Sequence, residues 1–294
     1  MADEAAALTA LLRAWERAPA RLDPVPVEGA TTWTTWVADI DGDCHLVTRA
    51  PLAGRLRLEA GLAAALHLAA RGTPAGTPVR AISGALVAEH GGAAYALLRC
   101  LPGRPLDAGD PLDQQWWGDT LARLHRATAD FDHPGVARWH RVRPDAPHLD
   151  AAPWLRPAVA AAVAALTRLT VTDRLTYGVL HGRPVAAVFR LDPATGRTGV
   201  LGWGRAATGP LVADLAAAVA HAGPGADLVE GYAADGAVSR DEIDVALPVL
   251  LRFHWAVRAG AAARRLATSP GDTPALATLA AARAALVTAP GGGG

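Results

Sequence analysis

Apolar residues recur at helical spacing in AAALTALLRAWERA, where Leu8, Leu11, Leu12 and Trp15 share one face. The pattern then changes to strands. TTWTTWVADI and CHLVTRA flank Asp41-Gly42-Asp43, which predicts an antiparallel hairpin. RLRLEAGLAAALHLAARG is an amphipathic helix stopped by Gly72 and Pro74, and GALVAEHGGAAYALLRC reads as two further strands around Gly91-Gly92. After the connector LPGRPL the apolar spacing becomes helical in DPLDQQWWGDTLARLHRAT, PWLRPAVAAAVAALTRL, GPLVADLAAAVAHA and DEIDVALPVLLRFHWAVRAGAAARRLA. One hairpin, AAVFRLDPATGRTGVLGW, interrupts these helices, with Asp192 to Gly196 at its turn.

This order divides the chain into a β-rich amino-terminal lobe over 1–100, a hinge over 101–106 and a helical carboxy-terminal lobe over 107–288. Residues 289–294, rich in glycine, read as a disordered tail. The fold class is α+β. With 294 residues, half of them apolar, the chain can bury a sizeable core.

Charge and composition then narrow the partners. The 28 basic residues balance the 28 acidic ones, giving no electrostatic reason to expect nucleic acid or a membrane surface. No signal-peptide pattern or long apolar span is present, and Cys44 and Cys100 form neither a disulfide framework nor a zinc-site spacing. These readings suggest a cytoplasmic protein with no bound metal. The chain contains no lysine and no asparagine, so a mechanism that needs either is excluded.

The segment YGVLHGRPVAAVFRLDPATGRTGVLGWG carries the candidate chemistry. With Gly29 between the first strands, Glu59 on the first helix, LPGRPL, LARLH and ADLAA around Asp214, it resembles the aminoglycoside phosphotransferase family over roughly residues 20 to 265. The resemblance implies a bilobal protein-kinase-like fold. It also places Arg183 where the family has its catalytic aspartate, Val188 at or next to a metal-binding asparagine, and Gly202 where an aspartate precedes Trp203. Arg49 is the nearest substitute for the strand lysine that would pair with Glu59.

A guanidinium cannot accept a proton at working pH. Loss of a general base costs about 10²- to 10⁴-fold, and loss of metal neutralisation several kcal/mol more. The residues therefore imply a degenerate phosphotransferase, a pseudokinase that uses no Mg-ATP cofactor and binds a protein, peptide or small-molecule partner. Its ligand-binding candidates are Trp33, Arg49, Glu59, His181, Arg183, Trp203 and Arg205, and the arginines suggest an anionic partner.

Two alternatives remain open at this point. One is an enzyme repurposed for natural-product or ribosomal-peptide tailoring in the interlobe cleft; the other is an active phosphotransferase with a rearranged site using Asp192 and Asp214. Plainer roles also exist for single residues. Arg183 can be a solvated loop residue, Glu59 a helix-face charge or a partner of Arg49, and Asp214 a helix cap or brace. Trp33 and Trp36 point to opposite faces of a strand, while Trp116, Trp117, Trp139 and Trp154 suit helix packing. Asp39, Asp41 and Asp43 suit turn chemistry, and His140 and His148 lie in a Pro-rich loop.

Overall fold

A computed structural model of the chain describes residues 12–17, 21–24, 33–139, 142–171 and 175–287. Gly29, His140, Leu8, Leu11 and the glycine tail lie outside these residues. In chain order the elements begin with β1 (Arg21–Pro24), β2 (Thr34–Ile40), β3 (Asp43–Pro51), α1 (Arg55–Ala70), β4 (Pro78–Val79), β5 (Ala88–His90), β6 (Ala93–Arg99) and β7 (Arg104–Pro105). They continue with α2 (Pro111–Ala127), β8 (Ala137–Arg138), α3 (Leu155–Val171), β9 (Tyr177–Leu180), β10 (Phe189–Asp192), β11 (Arg197–Val200) and β12 (Ala207–Pro210). Four helices follow: α4 (Val212–Ala222), α5 (Ala226–Ala234), α6 (Arg240–Thr268) and α7 (Thr273–Val287).

Two compact units emerge. The first comprises Met1–Asp107, Arg123–Ala137 and His181–Thr208; the second comprises Ala108–Ala122, Arg138–Leu180 and Gly209–Gly294. A division at residues 101–106 therefore misses a return of the chain. The β10–β11 hairpin packs with the first unit because β7 pairs with β10 and Val200 donates its amide to the Pro74 carbonyl at 3.0 Å.

The sheet of the first unit runs β1-β2-β3-β6-β4, with β5 also paired to β6. Asp41 and Gly42 both have positive φ, 58° and 82°, as a two-residue turn between right-twisted strands requires. The Asp39 carboxylate accepts the Gly42 amide at 3.1 Å, so this acidic run is turn chemistry.

Strand alternation gives the sheet two apolar faces. Trp36, Val47, Tyr95 and Leu97 pack with Leu12 and Trp15 on one side. Ala50, Ala94 and Ala96 pack with Leu58 and Leu62 of α1 on the other. Trp15 ends a 3₁₀ turn, Arg13–Trp15, and donates its indole N–H to the Val79 carbonyl at 2.9 Å.

Cys44 and Cys100 are joined by a disulfide, which corrects the reading of two separate thiols. The pairing of β3 with β6 brings them together: His45 stands opposite Arg99, and the Cys100 amide donates to the Cys44 carbonyl at 3.0 Å.

In the second unit, Leu155 and Val159 of α3, Ala256, Ala259 and Ala263 of α6, and Ala282 and Leu286 of α7 form one core cluster. Ser239 caps α6 by accepting the Glu242 amide at 3.2 Å. Trp117 is fully buried, Trp139 packs on Phe253 with ring centroids 5.0 Å apart, and Trp154 packs against the α3–α6–α7 cluster. No described helix is long and apolar enough to cross a membrane.

Candidate functional site

Four of the candidate residues, His181, Arg183, Trp203 and Arg205, lie on two turns, His181 to Val188 before β10 and Leu201 to Arg205 after β11. Antiparallel pairing returns the chain to its starting point, with Phe189 opposite Val200, so the two turns meet at one end of the hairpin. His181 ties them together. Its Nε2 donates to the Leu201 carbonyl at 2.8 Å, and its Nδ1 accepts the Arg183 amide at 3.3 Å. These partners fix the neutral Nε2-protonated tautomer. The ring is 1% exposed and meets Trp203 edge-on, centroids 4.9 Å apart. His181 is thus a positioning residue rather than the ligand contact expected from sequence, since both ring nitrogens are engaged by backbone.

Gly202 adopts φ of +87°, a left-handed backbone that disfavours a side chain. A Cβ placed there would lie 3.6 Å from Val188 Cγ1 and 3.9 Å from His181 Nε2. Positions 181, 188 and 202 therefore converge. Kinases use an aspartate and an asparagine to hold the magnesium ions that neutralise the phosphates. Here the converging groups are a methyl, an imidazole committed to backbone and a glycine. They do not fit a magnesium–nucleotide complex.

Helix α1 packs closely on the second turn. A Cβ on Gly61 would come within 2.6 Å of the Trp203 carbonyl oxygen, so a larger residue there would push the turn away. Trp33 covers the same turn from another side: a Cβ on Gly204 would lie 2.3 Å from its ring. Trp36, three residues on, belongs to the opposite face of the sheet, as the alternation predicts. Trp203 is 5% exposed, and its Nε1 finds no hydrogen-bond partner.

The structure redistributes the sequence-predicted charges. Arg49 pairs in register with Thr34 and Tyr95, two residues from Val47, and so lies on the sheet face away from α1. Thr48, opposite Ala96, occupies the α1 side. Arg49 therefore does not substitute for a lysine facing Glu59. Glu59 instead pairs with Arg55 one turn earlier, at 3.0 Å, and Arg55 also reaches Glu89 at 3.0 Å.

The two turns touch where Gly182, next to Arg183, meets the backbone of Arg205: a Cβ on Gly182 would lie 2.2 Å from the Arg205 carbonyl oxygen. Sequence reasoning missed Arg57. From the first turn of α1 it donates to the Arg205 carbonyl at 3.4 Å, and partial burial holds its guanidinium below the usual arginine range. The available signal was its place on the helix that also bears Glu59.

Asp192 does not join this cluster. Asp192 accepts the Ala194 amide at 2.9 Å and the Thr195 hydroxyl at 2.8 Å in the far turn of the hairpin. Asp214 is buried in the second unit, in the first turn of α4, without a side-chain cap. Burial, and next the Asp214 charge, push the Tyr232 phenol up. His148 also belongs to the second unit, where burial, Arg264 and Arg156 lower its pKa.

A family model described as the phosphotransferase enzyme family matches residues 24–249. Among curated proteins, homoserine kinase from Methylobacillus glycogenes is 42% identical over 66 residues, which are 22% of this chain and 21% of that protein. An uncharacterized protein from Deinococcus radiodurans is 31% identical over 140 residues, 43% of this chain and 41% of that one. The matches thus span less than half the length of these relatives. Among solved structures, the amicoumacin kinase hAmiN in complex with AMP-PNP, Ca²⁺ and Ami superposes with a TM-score of 0.76 at 14% identity. That match covers 98% of this chain and 94% of the other. At such identity the likeness shows the kinase-like fold alone.

Proposed function

The chain belongs to the phosphotransferase enzyme family, and from that premise we propose that it is a catalytically degenerate member that binds a partner without transferring phosphate from Mg-ATP. The observation that carries this reading is the convergence of Val188, Gly202 and His181 within 4 Å. Phosphoryl transfer in this fold depends on positioning and charge neutralisation, and these three groups supply neither a metal ligand nor a base. Arg183, two residues beyond His181, remains cationic and cannot take the hydroxyl proton.

The partner is a protein, peptide or small molecule with an anionic group. In support, Arg183 and Arg205 sit on touching turns and Arg57, exposed on the first turn of α1, reaches the second of them. Guanidinium forks match carboxylate and phosphate oxygens in pairs. His181 and Trp203 hold the turns that present these groups, and Trp33 packs over them.

Calorimetric titration with ATP, with and without Mg²⁺, tests the proposal. The expected outcome is no magnesium-dependent affinity. A micromolar site that requires Mg²⁺ would overturn it.

A further inference from the structure

The far end of the β10–β11 hairpin carries a second constellation that the phosphotransferase comparison does not assign. A cavity of about 220 Å³ opens there, lined by Pro74, Leu101, Pro102, Arg190 and Arg197 together with the hairpin turn. All of these residues belong to the first unit. Pro74 follows α1, Leu101 and Pro102 follow β6, and the arginines come from β10 and β11.

Arg190 is half-buried between the buried Phe189 and Leu191 and stands opposite Gly199. The missing side chain at Gly199 leaves room above the guanidinium, and a Cβ there would already crowd Pro74 at 2.7 Å and Leu101 at 2.8 Å. The Arg190 side chain makes no hydrogen bond or ion pair within the described residues. A cation partly removed from water and without a hydrogen-bonded ion pair is costly, and binding an anion between two such guanidinium groups relieves that cost.

The carboxylate at the cavity, Asp192, makes no ion pair with either arginine. Both Asp192 oxygens face its own turn, Oδ1 accepting the Ala194 amide and Oδ2 the Thr195 hydroxyl. Arg197 donates one terminal nitrogen to the Gly72 carbonyl, which fixes its fork beside the cavity. Two guanidinium groups thus border a recess walled by two prolines and a leucine.

We infer that this cavity is a binding site for a small organic anion, a carboxylate or phosphate on a single ring or short apolar chain. The charge is received by Arg190 and Arg197, and the apolar body rests on Pro74, Leu101 and Pro102. The volume supports this size, since it falls below the ~300 Å³ at which sites for drug-sized ligands begin. Such a ligand joins the segment after β6 to the hairpin whose opposite end carries Val188 and Gly202. The inference goes beyond the proposed partner of Arg57, Arg183 and Arg205 and uses none of those residues.

The test is a thermal-shift and calorimetric comparison of benzoate, phenyl phosphate, inorganic phosphate and neutral benzamide, against chloride at equal ionic strength. Benzoate and phenyl phosphate should stabilise the wild type more than inorganic phosphate, and benzamide should have no effect. Arg190→Gln should weaken the organic anions at least ~10-fold, the scale of a lost charge-assisted hydrogen bond. Arg190→Lys should recover part of that loss, because the charge returns without the fork.

If Arg190→Gln does not fold, Arg197→Gln, at an exposed position, decides: a loss of at least ~3-fold is expected, and an unchanged affinity overturns the site. Equal response of the wild type to benzoate and chloride also overturns it. So does a benzoate effect that survives Arg190→Gln but disappears in Arg183→Ala, which would assign the anion to the other arginine cluster. The ATP titration judges the degenerate-site reading independently.

Discussion

At one end of the β10–β11 hairpin, Val188 and Gly202 meet around the buried His181 ring; at the other end of the same four-residue strands, Arg190 and Arg197 border an open cavity. The first end is closed by its own hydrogen bonds. His181 engages the Leu201 carbonyl and the Arg183 amide, and the Leu201 amide returns to the Val188 carbonyl at 2.9 Å. The His181 ring and the Leu201 carbonyl are satisfied in this way and need no ligand, whereas the buried Trp203 Nε1 has no hydrogen-bond partner among the described residues. The second end keeps a half-buried cation, Arg190, that makes no ion pair, while the carboxylate in the cavity lining, Asp192, hydrogen-bonds within its own turn. The comparison separates a self-bonded scaffold from available charge: backbone partners occupy the His181 ring at one end, while an arginine without an ion pair stands elsewhere on the same element.

His181→Ala should break the comparison most strongly. It leaves the buried Leu201 carbonyl without its donor and opens a void beside Trp203. Each loss costs on the order of 1–3 kcal/mol, so a destabilisation of about 3 kcal/mol is expected by denaturant unfolding. Arg190→Gln, by contrast, should change stability by less than ~0.5 kcal/mol. Similar costs for the two variants would show that the hairpin ends do not differ in self-sufficiency.

The sequence disclosed these features unevenly, for physical reasons. Hairpins with Asp41-Gly42 and Gly91-Gly92 were legible because positive φ leaves a compositional mark. The α5 and α7 helices, Ala226–Ala234 and Thr273–Val287, escaped notice because α7 in particular is alanine-rich and has little contrast between its faces. Arg49 was identified by its neighbourhood along the chain, but strand alternation turns adjacent residues to opposite faces, so a one-residue difference exchanged Arg49 for Thr48. Arg57 and the Cys44–Cys100 link depend on contacts across 148 and 56 residues, which no local pattern encodes. His181, Gly182 and Trp203 were found through the family motif. Their roles emerged only once His181 was seen to use both ring nitrogens on backbone.

A second variant tests the end that carries Val188 and Gly202. In Arg183→Asp with Gly202→Asp, two carboxylates return, but the second occupies a left-handed backbone and faces the Val188 methyl. The Gly202 change should cost about 1 kcal/mol, since aspartate tolerates this region better than most residues. ATP consumption in a coupled assay should remain at background. Robust turnover would show that Val188 and the missing strand lysine are dispensable, and the degenerate reading would fall.

The smallest effect concerns Asp192 at the charged end. The Thr195 hydroxyl, and then the Ala194 amide, hold its carboxyl below the usual carboxylate range. Its folded pKa is therefore depressed. The stability it contributes is fully present above the unfolded value of about 3.9 and is lost as pH falls through the lower folded value. While ionised, the same carboxylate opposes an anion entering beside Arg190 and Arg197. Asp192→Asn removes that opposition at neutral pH and retains an oxygen for the Ala194 amide. Benzenesulfonate, charged across the whole range, should bind the variant roughly twofold more tightly at pH 7, the scale of an exposed charge pair. The wild type should approach the variant only as the solution is acidified through the Asp192 titration. Equal affinities at pH 7, or weaker binding by the variant, would mean that Asp192 does not act on the cavity and that the charge contrast between the hairpin ends is smaller than the geometry implies.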